Sequence, residues 1–316
     1  MDPPTRYEVH VTETPGSWSF TRWITEGQLE GLEIHHPDFH AKLLLQGAHL
    51  IQFAPTGEAN WLWLSKAARF ETGRAVRGGI PICWPWFGVP DRNPPQVREH
   101  IQTRQSHGFA RTQLWQLDQL TESPETVEVS LALEIDDDMP TLWRGKARAL
   151  LTFRFSADLL HIALTTTNLD NKPLALTQAL HTYLPCDDIA STQLEGFDGV
   201  KVVDTLRDWE LYEQCGPVTF DGEVDRIYQR PAEQQVCIHN GNRQQQITSL
   251  GSRSTVVWNP GPEKADCLSD FPAEAWRSMV CVETANALHD FRVLNSGQTH
   301  TLGAMISCRQ GLASDS

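Results

Sequence analysis

The sequence predicts an all-β sandwich built from two large, curved, mainly antiparallel sheets with little helix. Three observations predict it. Apolar residues alternate with polar ones at period two over many short runs. Turn residues separate those runs at intervals that suit antiparallel pairing. Helical periodicity is scarce, and 19 prolines and 21 glycines are spread along the chain, which disfavours long helices.

The alternation marks the elements one by one. Strands are expected at 41–53 and 60–65. Val127, Val129, Leu131, Leu133 and Ile135 point one way while Glu128, Ser130, Ala132 and Glu134 point the other. Asp136, Asp137 and Asp138 then read as a solvated turn. Leu151, Phe153 and Phe155 repeat the pattern up to a turn at Ser156-Ala157-Asp158. Leu160, Ile162, Leu164 and Thr166 lead into the turn Asp170-Asn171-Lys172-Pro173. Further strands are expected at 174–184, 235–240, 244–250, 254–258, 278–284 and 299–308. The stretches 88–104 and 206–222 read as loops, not as domain linkers, because the strands on both sides need partners. One domain over 1–316 is expected, with its motif-bearing core at about 30–310.

Composition narrows the function. A net charge of −14 argues against a general nucleic-acid or membrane-surface binder. The basic residues are 20 Arg against 6 Lys, and arginine suits fixed, bidentate recognition of phosphate or carboxylate. Seven widely spaced cysteines without a C-x-x-C fit reduced thiols better than a disulfide framework. The first residues carry no apolar signal segment, and no apolar run approaches the ~20 residues of a membrane helix. A cytoplasmic, monomeric enzyme is the expectation.

Candidate chemistry clusters in a few short units. Arg77-Gly78-Gly79 lets a backbone pass close to a neighbour and aims a guanidinium. Ile80 to Gly88 adds two prolines and the Trp84–Trp86 pair, read as a stiff aromatic pocket wall. Ala175, Thr177, Ala179, His181 and Tyr183 share one strand face of small and hydroxylated residues, with leucines on the other, so His181 faces room for a ligand. Met279, Cys281 and Glu283 share a face opposite Val280 and Val282. A glutamate at the end of so apolar a strand is either exposed or held for a task, and partial burial would raise its pKa toward neutrality. His107 and Arg111 flank Gly108-Phe109-Ala110. Asp225 either pairs with Arg226, caps a turn or binds a ligand. Trp258 precedes Asn259-Pro260 and either packs or stacks on a sugar. The cluster His35-His36-Pro37-Asp38-Phe39-His40 matches no standard zinc spacing. The absence of a P-loop and of G-x-G-x-x-G leaves phosphate to be held by side chains, and the absence of G-x-S-x-G removes support for serine hydrolase chemistry.

Taken in order, R-G-G-I-P-I-C-W-P-W-F-G, H-G-F-A-R, L-H-T-Y, D-R-I-Y, W-N-P and V-C-V-E-T-A resemble the hexose-6-phosphate mutarotases, the glucose-6-phosphate 1-epimerases of the aldose 1-epimerase superfamily. The resemblance runs from about residue 70 to 290. It implies a galactose-mutarotase-like β-supersandwich, no metal and no organic cofactor, and a hexose 6-phosphate as substrate. It assigns His181 as general acid and Glu283 as general base. It assigns Arg77, Arg111 and Asp225 to substrate binding, with His107 as a second active-site histidine. Ser106 stands where some relatives have glutamine, and Leu184 where phenylalanine is usual. Acid and base are expected on opposite sides of one hemiacetal, with Asp225 or the phosphate keeping His181 protonated. Three alternatives stay open: an aldose 1-epimerase of unphosphorylated sugars, a non-catalytic sugar-phosphate binder, and a glycoside-cleaving enzyme, which would normally need two facing carboxylates.

Overall fold

The computed structural model describes residues 18–136, 142–230 and 235–310. Two eight-stranded antiparallel sheets carry the architecture, accompanied by a four-stranded meander and a two-stranded pair. The meander runs Thr21–Glu26, Leu29–His36, Phe39–Leu44 and His49–Pro55. One large sheet holds the long strands Val127–Ile135, Ala147–Phe155, Leu160–Asn168, Arg243–Leu250 and Thr299–Gln310. The other, which bears the site, is centred on Val224–Gln229, Ser254–Asn259 and Met279–Asn286. Helical segments among the described residues run three to six residues, and no helix there is long and apolar enough to cross a membrane.

Alternation sorts the strand Met279–Asn286 as the sequence predicts. Val280 and Val282 enter the main core with Leu180, Leu184 and Val257 from the same sheet and Leu176 from the two-stranded pair. Phe153, Ile162, Leu164, Leu302 and Ile306 of the other large sheet meet them. The opposite face carries Met279 and Cys281 in a smaller cluster with Tyr183 and Trp63. Each fully buried valine or leucine contributes roughly 1.5–3 kcal/mol, so one face of the sheet holds the fold together. The other face is left for chemistry.

Several boundaries differ from the expectation. The run 41–53 is two strands joined by a turn, in which Gly47 and Ala48 both take positive φ. Residues 60–65 form an isolated bridge, Leu64 to Gly78, instead of a strand. The expected loop 206–222 contains the edge strand Glu210–Glu213. The run 174–184 is broken into Leu174–Leu176, Gln178–Leu180 and Tyr183–Pro185. The strand carrying Glu283 continues to Asn286, so that glutamate is interior to the strand, not terminal. Of the expected turn, Asp137 and Asp138 lie outside the described residues.

The tryptophan wall also needs correcting. Trp84 and Trp86 are fully buried in the main core and do not line the cavity described below. Each indole finds a partner for its N–H. Trp84 Nε1 donates to Thr166 Oγ1 at 3.0 Å, and Trp86 Nε1 donates to the Gln105 carbonyl at 3.0 Å while stacking on Trp143. Trp86→Ala is therefore expected to cost about 3–5 kcal/mol of stability, read from the urea midpoint. An unchanged midpoint would return Trp86 to the cavity surface.

Candidate active site

A cavity of about 460 Å³ opens on the face of the site sheet that turns away from the main core. That size is ordinary for a small-molecule site. All eight residues singled out from the sequence line it: Arg77, Ser106, His107, Arg111, His181, Asp225, Trp258 and Glu283.

The two central groups come from adjacent strands. His181 sits in the gap between Gln178–Leu180 and Tyr183–Pro185, where its backbone N–H donates to the Pro81 carbonyl at 3.0 Å. Glu283 lies mid-strand, opposite Val256 in the ladder, and is 1% exposed. His181 Nε2 is 3.4 Å from Glu283 Oε1. His181 Nδ1 and Glu283 Oε2 have no hydrogen-bond partner among the described residues. The groups stand side by side, where opposite sides of a ligand were expected. Tyr183 stacks on the imidazole at 4.9 Å between centroids, and Trp258 meets it edge-on at 6.0 Å. These rings fix the histidine plane.

Arg77 is seated by its two glycines. Both take positive φ, and a Cβ on Gly78 would come 2.6 Å from Leu64 Cα, while one on Gly79 would come 2.3 Å from the Leu50 carbonyl. No side chain fits either approach. Arg77 Nε then donates to Asp270 Oδ1 at 3.2 Å, and its NH1 donates to the Tyr183 hydroxyl at 3.2 Å. Arg111 is tethered by NH2 donating to the Ser106 carbonyl at 3.0 Å, and its buried Nε has no partner among the described residues. His107, at φ +63°, accepts the Gly88 N–H on Nδ1 at 3.4 Å and lies 3.6 Å from Cys83 Sγ. Arg226 does not pair with Asp225; its Nε reaches Asp204 at 3.1 Å.

Burial dominates the electrostatics. The Glu283 carboxyl is held well above the usual carboxylate range by desolvation first and by neighbouring Asp225 next, with Arg111 opposing. His181 is held well below its ordinary value by burial, then by His107, Arg111 and Arg77. Burial likewise lowers His107 to about 3 and raises Asp225. Burial thus favours the neutral form of both groups.

Tyr183, Phe87, Pro81 and Lys264 also line the cavity, and Asp270 anchors Arg77 from behind. Tyr183 was legible, since alternation puts it on the face of His181. Asp270 was not, because only the tertiary path brings its loop to Arg77. A larger concavity of about 790 Å³ lies elsewhere on the same sheet, lined by Arg92, Lys201, Trp209 and His289 among others. None of its lining residues is a carboxylate, so the paired imidazole and carboxyl are a feature of the smaller cavity. The group Glu33, His35 and His40 gathers on the meander, but Arg22 and Lys42 also bind that carboxylate, so it reads as an ion-pair cluster.

A cavity that gathers an imidazole, a carboxyl and two guanidiniums on one sheet of a β-supersandwich suits acid–base work on a small polar ligand. The comparisons agree. The aldose 1-epimerase family model matches residues 30–307, and the chain belongs to that family of isomerases. An Escherichia coli (strain K12) protein named "Putative glucose-6-phosphate 1-epimerase" is 32% identical over 280 residues, covering 86% of this chain and 88% of its own. A Salmonella typhimurium protein of the same name is 34% identical over 270 residues, covering 84% and 86%. The crystal structure of "a putative mutarotase (YeaD)" from Salmonella typhimurium superposes with a TM-score of 0.83 at 30% identity, covering 96% of each chain. At 14% identity and a TM-score of 0.73, a galactose 1-epimerase from Lactobacillus acidophilus shares the fold, covering 93% of this chain and 100% of its own.

The raised pKa of Glu283 makes a stability prediction. Its folded state holds a proton that the unfolded chain releases near the ordinary value of 4.5. The native state therefore loses stability as pH rises from there toward the folded pKa. Glu283→Gln lacks this dependence. Its melting temperature is expected to gain on wild type steadily between pH 5 and neutrality, by calorimetry at each pH. A constant difference would mean that Glu283 is not desolvated.

Proposed function

We propose that this enzyme interconverts the α and β anomers of D-glucose 6-phosphate, and of other hexose 6-phosphates, by acid–base ring opening and reclosure. The observation that carries the reading is the His181–Glu283 pair at 3.4 Å inside a cavity that also holds Arg77 and Arg111. The hydroxyl oxygen and the ring oxygen of a pyranose sit on one carbon. Two neighbouring groups reach both without moving apart. The names of the relatives at 32–34% identity support the phosphorylated substrate.

In the forward step the Glu283 carboxylate takes the proton of the carbon-one hydroxyl, while the His181 imidazolium donates to the ring oxygen. The bond from carbon one to the ring oxygen breaks, its electron pair goes to that oxygen, and carbon one becomes an aldehyde. Rotation about the bond to carbon two and reversal of both proton transfers give the other anomer. The pair carries one proton throughout. It starts as imidazolium and carboxylate and ends as imidazole and carboxylic acid. Burial favours the second form of that pair, so the site lowers the energy of the open-chain state.

The starting charges need help, and the substrate supplies it. Arg77 and Arg111 both depress His181. A phosphate dianion bound by them would cancel those fields and raise the imidazole toward its ordinary value. On this reading phosphate is more than an anchor, because it readies the acid. A second reading, action on unphosphorylated sugars, has one observation in its favour: Asp270 already shares the charge of Arg77.

Magnetisation-exchange NMR between the anomers of glucose 6-phosphate tests the proposal, with glucose run in parallel. Glu283→Gln is expected to lower turnover by ~10²–10⁴-fold while sparing binding. Wild-type exchange in that variant would sink the base assignment. Arg77→Ala is expected to lose about 2 kcal/mol, roughly 30-fold in kcat/KM, on the phosphorylated sugar and little on glucose. Equal losses on both sugars would favour the second reading.

A further inference from the structure

Beside the catalytic pair lies a residue that ring opening does not use. Cys281 is two positions before Glu283 on the same strand, hence on the same face, and is fully buried. One nitrogen of His181, the Cys281 sulfur and one oxygen of Glu283 all lie within 4.8 Å of one another. Two of these residues carry a buried polar atom with no partner among the described residues, His181 Nδ1 and Glu283 Oε2. Here the carboxylate is not saturated by cations, as that of Glu33 is.

We propose that His181, Cys281 and Glu283 form a binding site for a thiophilic divalent metal ion, Zn²⁺ or Cd²⁺, which inhibits the enzyme by occupying its acid–base pair. The donor set is that of a three-ligand zinc site with a fourth position open to water. Zinc bonds of ~2.0–2.3 Å to nitrogen, oxygen and sulfur require the three atoms to close inward about a common centre.

Arg77 and Arg111 line the same cavity, so charge is the natural objection. Zinc takes cysteine as thiolate and glutamate as carboxylate, so these two ligands bring negative charge to the metal as the bonds form, while the imidazole binds neutral. Affinity therefore rises with pH.

Co²⁺ serves as the spectroscopic probe. The exposed cysteines Cys215 and Cys267 are first replaced by serine in the full chain, so that neither contributes a signal. Titration is then expected to give a near-ultraviolet thiolate-to-cobalt band saturating at one metal per chain. Cys281→Ser is expected to abolish the band and to raise the Zn²⁺ concentration for half-inhibition by at least ~10-fold, a loss that even supporting groups around a metal produce, while anomer exchange without metal persists. Should the serine variant fail to fold, Glu283→Gln keeps the thiol, and its band is expected to need at least ~10-fold more Co²⁺. No band in the parent, or an undiminished band in Cys281→Ser, overturns the proposal. So does an unshifted titration in Glu283→Gln. The band is read without turnover. A protein that shows the band but exchanges no anomers would refute the sugar-phosphate reading and leave the metal site standing, and active protein without the band would do the reverse.

Discussion

The site depends on a carboxyl group buried inside an apolar strand. Glu283 is almost wholly removed from water between ladder partners of a central sheet. Ionising it there without a partner would be costly. Burial pushes the Glu283 carboxyl above its ordinary range and the neighbouring His181 below its own, so both are held toward their neutral forms. Much else near the cavity keeps that arrangement in place: Tyr183 and Trp258 set the imidazole plane, and the His181 backbone is tied to Pro81.

The sheet separates stability from chemistry by its two faces. Val280 and Val282 pack into the main core, whereas Met279, Cys281 and Glu283 look the other way. A one-residue slip of this strand would exchange the two sets. The core that fixes the register therefore also fixes the reach of the carboxyl. Trp84 and Trp86 belong to the same logic. They brace the segment between Arg77 and His107 from beneath, and the ligand surface is left to Pro81, Phe87 and Val89.

The two arginines are held differently. Arg77 is clamped by Asp270 and Tyr183, while Arg111 is tethered through one terminal nitrogen and keeps a buried N–H free of partners among the described residues. Both fields depress His181. An anion between them would relieve it. The same low-dielectric setting pushes the Cys281 thiol above its ordinary range.

Much of this was legible in the residues. Period two identified the long strands from Val127 to Thr166, and it put His181 with Tyr183 and Glu283 with Cys281, because a pleat alternates whatever surrounds it. Short motifs in order were enough to name the family and eight of the residues that line the cavity. Three matters were decided only by the tertiary structure. Tryptophan has the same composition signal in a core as in a pocket, so Trp84 and Trp86 were misread. The side-by-side placement of His181 and Glu283 follows from the pairing of two strands a hundred residues apart, which no local pattern encodes. The direction of each pKa shift follows from burial, a property of the packed chain. The sequence by itself determined which groups are present and which face each takes; the fold decided how far apart they stand and how little water reaches them.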